Sequence, residues 1–142
     1  MEKGHIIIGQ DTDGLTTPLE ASVDWAVKMD KPYFVGQRSL KIVQRKNPKA
    51  KLVGFTLDSA TEGKVPKECH LVIRDGKIAG RVTSIAWSPA MEKYVGLAFA
   101  SPEIIASGGS FFIRVDGGRM VPARIAKTPF YDPAGDRQKF AA

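Results

Sequence analysis

Residues 70–85, HLVIRDGKIAGRVTSI, decide the fold. Two short runs rich in Val and Ile, 70–74 and 78–85, flank Asp75-Gly76, a pair that accepts the positive backbone angles of a two-residue hairpin turn. The same texture continues on both sides. Residues 51–57 precede the hairpin, 94–100 follow it, and 111–115 joins 120–126 through Asp116-Gly117-Gly118. About six short strands with tight turns predict a mainly β chain closed as a small antiparallel barrel or packed as a sandwich, since a half-apolar sheet must cover its inner face. The apolar set expected to fill it is Val53, Phe55, Val72, Ile73, Val82, Ile85, Leu97, Phe99, Phe112, Ile113, Val121 and Ile125.

Upstream of Pro48 the pattern changes to two N-terminal helices. Thr17-Pro18-Leu19-Glu20 is a helix start: Thr17 can cap, Pro18 sits where a missing N–H costs nothing, and Glu20 completes the capping box. A helix over 18–27 follows, with Leu19, Val23, Ala26 and Val27 on one face and Trp25 at its border. A shorter helix over 38–46 turns Leu40 and Val43 inward and stops at Asn47-Pro48, because the residue before a proline resists helical geometry. The chain therefore divides into residues 1–48 with the helices and residues 49–142 with the barrel and a tail. The tail, 129–142, has two prolines, a glycine and no periodicity. It is predicted to be a loose end or a strap over the barrel.

Nothing apolar approaches the ~18 residues of a membrane span, and no basic-then-apolar leader opens the chain, so a cytoplasmic location is expected. Cys69 is the only cysteine. That excludes an internal disulfide and a cysteine cluster for zinc. Its neighbour His70 suggests nucleophilic chemistry, but adjacent residues of a strand point to opposite faces, and a packing role is expected instead.

The net charge of +6 is uneven: residues 1–27 carry −4, residues 28–51 carry +7, and residues 52–142 carry +3. The excess is a block formed by Lys28, Lys31, Arg38, Lys41, Arg45, Lys46, Lys49 and Lys51. Such a block suits RNA or an acidic protein surface, or simply keeps a helix solvated.

Two motifs fail on inspection. Asp11-Thr12-Asp13-Gly14 resembles the start of a calcium loop, but Leu15 stands where an oxygen ligand is needed, so no metal site is expected. Gly108-Gly109 and Gly117-Gly118 precede no helix and no Lys-Ser/Thr, which makes them turns and not phosphate loops.

Met1 to Val27, MEKGHIIIGQDTDGLTTPLEASVDWAV, reads as the interior of a larger protein, since the triplet Ile6-Ile7-Ile8 has nothing upstream to pack on. With Gly80-Arg81-Val82-Thr83-Ser84, Ser88-Pro89 and Pro129-Phe130-Tyr131-Asp132-Pro133, it resembles the aminomethyltransferase family at the junction of the folate-binding domain and the C-terminal barrel. The likeness is nearest to the C-terminal region of the sarcosine oxidase alpha subunit. The glycine-cleavage T-protein and dimethylglycine dehydrogenase are more distant.

The resemblance implies a C-terminal segment of a folate-dependent enzyme: an N-methyl amine is oxidised to an imine, tetrahydrofolate attacks it, and 5,10-methylenetetrahydrofolate leaves. Residues 1–48 would then end the folate-binding domain. Glu2 corresponds to the carboxylate that pairs with the pterin edge, a task suited to an acceptor of two parallel hydrogen bonds. Where the family has an arginine for the folate carboxylates, this chain has Lys28 and Lys31, which lack the planar fork. Tyr131 and Arg137 lie where relatives approach the folate.

The family's catalytic carboxylate belongs upstream, so no catalytic residue is expected here and the isolated chain should be inactive. With no GxGxxG in the chain, FAD, FMN and NAD belong to regions or subunits outside it. Expected partners are the upstream folate-binding domain and other sarcosine oxidase subunits, with no membrane and no nucleic acid. The alternative is a stand-alone module that uses residues 28–51 to engage RNA or an acidic protein. Against RNA, the block interleaves only Tyr33 and Phe34, whereas single-strand binders stack bases on several aromatics.

Overall fold

A computed structural model describes residues 1–57, 63–107 and 109–139. Six strands form the body: β1 (Lys51–Leu57), β2 (Leu71–Arg74), β3 (Lys77–Ser88), β4 (Lys93–Ala100), β5 (Ser110–Arg114) and β6 (Met120–Ala126). They close into a barrel in the order β1-β4-β3-β2-β5-β6, sealed by antiparallel pairing of β6 with β1. The mainly β, closed-barrel fold expected from the hairpin pattern is the fold observed. Asp75 and Gly76, at φ 49° and 73°, make the β2–β3 turn with both central residues left-handed, as a two-residue hairpin requires.

The core is built by strand alternation. Phe55, Val72, Val82, Phe111, Ile113 and Val121 point inward, and Phe55 meets Phe111 edge-to-face at 5.9 Å. Gly96 makes room for this, because a Cβ there would stand 2.6 Å from the Phe55 ring. One end is plugged by Ile104, fully buried on a short helix, α2 (Pro102–Ala106).

Several expectations are corrected. Phe112 is 49% exposed and Phe111 is the buried ring, since β5 alternates from Ser110 onward and the pair sits one position out of the expected phase. Phe99 is half-buried on the outer wall, under the Arg81 guanidinium at 5.4 Å. Cys69 is an exposed turn residue with φ 65°, not a packed strand residue, because β2 begins two positions later, at Leu71. The Gly108 half of the Gly108-Gly109 turn lies outside the described residues.

The expected helix over 18–27 is a single turn followed by a 3-10 turn, Asp24–Ala26. Its capping box does form: the Thr17 N–H donates to Glu20 Oε2 at 2.9 Å, and the Glu20 N–H donates to Thr17 Oγ1 at 3.3 Å. It starts a helix that cannot continue. The Glu20 carbonyl accepts the Leu52 N–H of β1 at 2.7 Å, Ser22 turns left-handed at φ 57°, and its hydroxyl donates to the Leu52 carbonyl at 2.8 Å. Tertiary bonds to β1 have replaced the next helical turn. The second helix, α1 (Gln37–Lys46), ends before Pro48 as expected, with Leu40 and Val43 half-buried.

Candidate functional site

Glu2 is tied into the fold by its backbone and by its side chain. Its carbonyl accepts the N–H groups of Phe130 and Tyr131 at 2.9 and 3.2 Å, and its Oε1 accepts the Ser88 hydroxyl at 2.6 Å. Ser88 ends β3 and is buried. Lys3 extends the seam, its Nζ donating to the Asp132 carbonyl at 2.6 Å and standing 3.2 Å from Oδ2 of the same residue. Gly4 must be glycine, because its φ is 67° and a Cβ would stand 2.7 Å from Thr128 Cγ2.

The tail is thus a strap. Phe130 lies against Gly54 of β1, where a Cβ would come within 2.9 Å of the ring. Past it, Tyr131 is half-buried and carries the Arg137 guanidinium 5.5 Å from its ring centre, a cation–π stack. Arg137 is exposed and pairs with no carboxylate among the described residues. Burial tends to raise the Asp132 carboxyl, but the hydrogen bond from Lys3, the backbone N–H groups of Asp136 and Arg137 and the Lys3 charge outweigh it and hold the group below the ordinary 3.8.

Of the residues singled out by sequence, Glu2, Tyr131 and Arg137 therefore lie on one hydrogen-bonded seam. Lys28 and Lys31 lie on a different segment, the exposed loop leading into α1. That loop is braced by Gln37, whose Nε2 donates to the Met29 and Lys31 carbonyls at 3.3 and 2.8 Å. None of the eight cations of residues 28–51 forms an ion pair among the described residues.

The acidic loop divides its labour. Asp13 caps the turn that follows, accepting from the Thr16 hydroxyl and the Leu15 and Thr16 N–H groups, which lower its pKa. Asp11 is fully buried: it accepts the Ile7 N–H at 2.8 Å and the Ser84 hydroxyl at 2.6 Å. Gln10 adds bonds to the Thr83 carbonyl and the Ser84 hydroxyl at 3.0 and 3.1 Å. The signal available in the sequence was the polar pair Thr83-Ser84 inside an apolar strand, which needs partners when buried. No metal-binding group of His, Cys, Asp and Glu occurs among the described residues.

His70 does not serve Cys69. Its Nδ1 accepts the Lys67 N–H at 3.0 Å, which leaves Nε2 as the proton-bearing nitrogen facing Asp116 Oδ1 at 3.2 Å. Those bonds, with Lys67, lower the Asp116 pKa. Both ring nitrogens are occupied in joining two turns. No helix among the described residues is long and apolar enough to cross a membrane.

Comparison with known proteins follows the same outline. The family described as the glycine cleavage T-protein C-terminal barrel domain matches residues 51–132. An aminomethyltransferase of Rubrobacter xylanophilus is 39% identical over 141 residues, covering 95% of this chain and 36% of the relative. One from Synechococcus sp. (strain CC9311) is 32% identical over 132 residues, covering 92% and 35%. The crystal structure of glycine cleavage system aminomethyltransferase T from Bartonella henselae superposes with a TM-score of 0.81 at 23% identity, over 93% of this chain and 37% of that one. The chain spans about a third of the length of the curated relatives it matches.

Proposed function

Since the chain belongs to the glycine cleavage T-protein family through its C-terminal barrel domain, we propose that it is the C-terminal segment of a folate-dependent one-carbon enzyme, of the sarcosine oxidase alpha-subunit type. In this reading residues 1–48 end a folate-binding domain and residues 49–142 form the barrel and strap that buttress it. The ligand is tetrahydrofolate, which accepts a one-carbon unit derived from an N-methyl amine. The observation that carries the reading is the restraint of Glu2, whose carboxylate and carbonyl are fixed by Ser88 and by the strap that also bears Arg137.

The residues suit both ends of a folate. A restrained carboxylate can accept the flat donor edge of a pterin with two parallel bonds. At the other end, the Arg137 fork stacked on Tyr131 can grip a carboxylate, and Lys28 and Lys31 add charge without a fork. The chemistry of methylene transfer calls for a carboxylate from the upstream region, and flavin and dinucleotide sites belong to other regions or subunits. This chain binds and orients.

In the polypeptide encoded by the complete reading frame, Glu2→Ala should leave amine oxidation nearly intact. It should divert the one-carbon unit from methylenetetrahydrofolate to formaldehyde, because an imine without folate beside it hydrolyses. The ratio of the two products per oxidised amine is the measurement; an unchanged ratio removes Glu2 from the site.

A second reading is favoured by the charge of residues 28–51, which forms no ion pair among the described residues. There this block docks an acidic protein or RNA. Binding that survives 0.5 M salt would count against it, since charge–charge attraction between exposed groups is screened within about 3–10 Å at such concentrations.

A further inference from the structure

We infer that Ser88 is the positioning residue for Glu2, an inference that rests on the folate reading and extends it. The Ser88 hydroxyl has one proton to give, and its surroundings fix where that proton goes. Its oxygen accepts the Met91 N–H at 3.2 Å, from the turn between β3 and β4, and its proton goes to Glu2 Oε1 at 2.6 Å. Ser88 is 1% exposed, so water does not compete for either bond.

The geometry settles which part of Glu2 is constrained. With its carbonyl held by the Phe130 and Tyr131 N–H groups and Oε1 held by Ser88, the carboxylate is anchored at both ends of the residue. Oε2 receives no hydrogen bond among the described residues, and Oε1 keeps a second lone pair. A carboxylate fixed in this way loses little side-chain freedom when a ligand arrives, and that entropy is otherwise charged against binding. Ser88 therefore acts on affinity through Glu2 without touching the ligand.

The neighbouring residue marks the direction of the site. Trp87 precedes Ser88 on the strand and points to the opposite face, half-exposed, with Tyr94 edge-on at 5.1 Å. The strand end thus turns its hydroxyl toward Glu2 and its aromatic pair away.

The test is a double-mutant cycle on Glu2 and Ser88 in the polypeptide encoded by the complete reading frame, read as the dissociation constant for 5-formyltetrahydrofolate, a stable reduced folate. Ser88→Ala should weaken binding up to about tenfold, the scale of ordering one side chain on binding. Ser88→Thr, which keeps the hydroxyl, should recover most of the affinity. On a Glu2→Ala background Ser88→Ala should have almost no further effect, because a residue that acts through another has nothing left to act on. Ser88→Cys keeps the volume with a weaker donor, so it reads out the bond if the alanine variant fails to fold; it should fall between wild type and alanine.

An equal, additive loss from Ser88→Ala with and without Glu2 would overturn the inference, as would full affinity in Ser88→Cys and Ser88→Ala. Those results leave the folate reading standing if Glu2→Ala alone still weakens binding. Unchanged affinity in Glu2→Ala would overturn the folate reading itself, and the Ser88 role with it.

Discussion

Within the barrel, Phe55, Phe111, Ile104 and Ile113 meet in a core closed to water, whereas residues 1–27 reach the same barrel and its strap through Glu2, Lys3, Gln10, Asp11 and Ser22. In that N-terminal stretch Ala21 is the buried hydrophobic residue, while Ile7, Ile8, Leu15 and Trp25 face outward at 49–89% exposure. The two regions differ in what a single residue contributes. A core ring removes a large apolar area from water, and its loss leaves a cavity. A polar stitch exchanges a bond to water for a bond to protein and nets about 1 kcal/mol, but fixes direction in a way burial cannot. The candidate site lies in the region held by direction.

The largest break is expected in the barrel. Phe55→Ala should cost about 3–5 kcal/mol, the range for emptying a buried aromatic site, measured by denaturant unfolding. A loss below 1 kcal/mol would mean that the barrel is not held by this core.

Asp11→Ala should cost about 1–3 kcal/mol, because it strips the Ile7 N–H and the Ser84 hydroxyl of their buried acceptor. The sharper readout is amide hydrogen exchange. Protection should fall across residues 5–13 while the amides of β1 and β4 keep theirs; equal loss in both would erase the distinction between the two regions.

Thr17→Ala should cost about 1 kcal/mol, typical of a removed cap. The cap here closes one turn, so the effect should be confined to residues 17–22, and loss of α1 together with the turn would show that the segment is more cooperative than its bonds suggest.

A smaller effect follows from pH. The Asp132 pKa is depressed in the fold, so its contribution is present at neutral pH and is lost as pH falls through the region below 3.8. Asp132→Asn should flatten this acid dependence of the melting temperature, and an unchanged slope would remove the Lys3–Asp132 pair from the seam.

The barrel was legible in the sequence because alternation and turn chemistry are local. Asp75-Gly76 sets its own turn, and the bounds of β1 and β6 coincide with the apolar runs that announce them. The phase of Phe111-Phe112 was not legible, since two adjacent aromatics satisfy either face. α2 was missed although Ser101-Pro102-Glu103 carries a helix-start signature, because five residues are too few for a periodic pattern. The helix over 18–27 was wrong for a different reason: its capping box is local, but the Leu52 bonds that end it come from 30 residues away. The same limit applies to the site. Glu2, Tyr131 and Arg137 were named by resemblance alone, and Ser88 appeared only as part of a motif. What joins them is a seam between the two ends of the chain, invisible to spacing.

The central claim is that one seam holds both ends of a folate, Glu2 the pterin and Arg137 the glutamate. It is tested by measuring binding of tetrahydrofolate and of 6-methyltetrahydropterin, which has the pterin but no carboxylate, to the complete polypeptide and its Glu2→Ala and Arg137→Ala variants. Glu2→Ala should weaken both ligands by about 2–5 kcal/mol, since the pterin donors lose a charged partner. Arg137→Ala should weaken tetrahydrofolate by about 1 kcal/mol, as for an exposed charge pair, and leave 6-methyltetrahydropterin unchanged. Equal losses for both ligands in Arg137→Ala, or none for either in Glu2→Ala, would contradict the account.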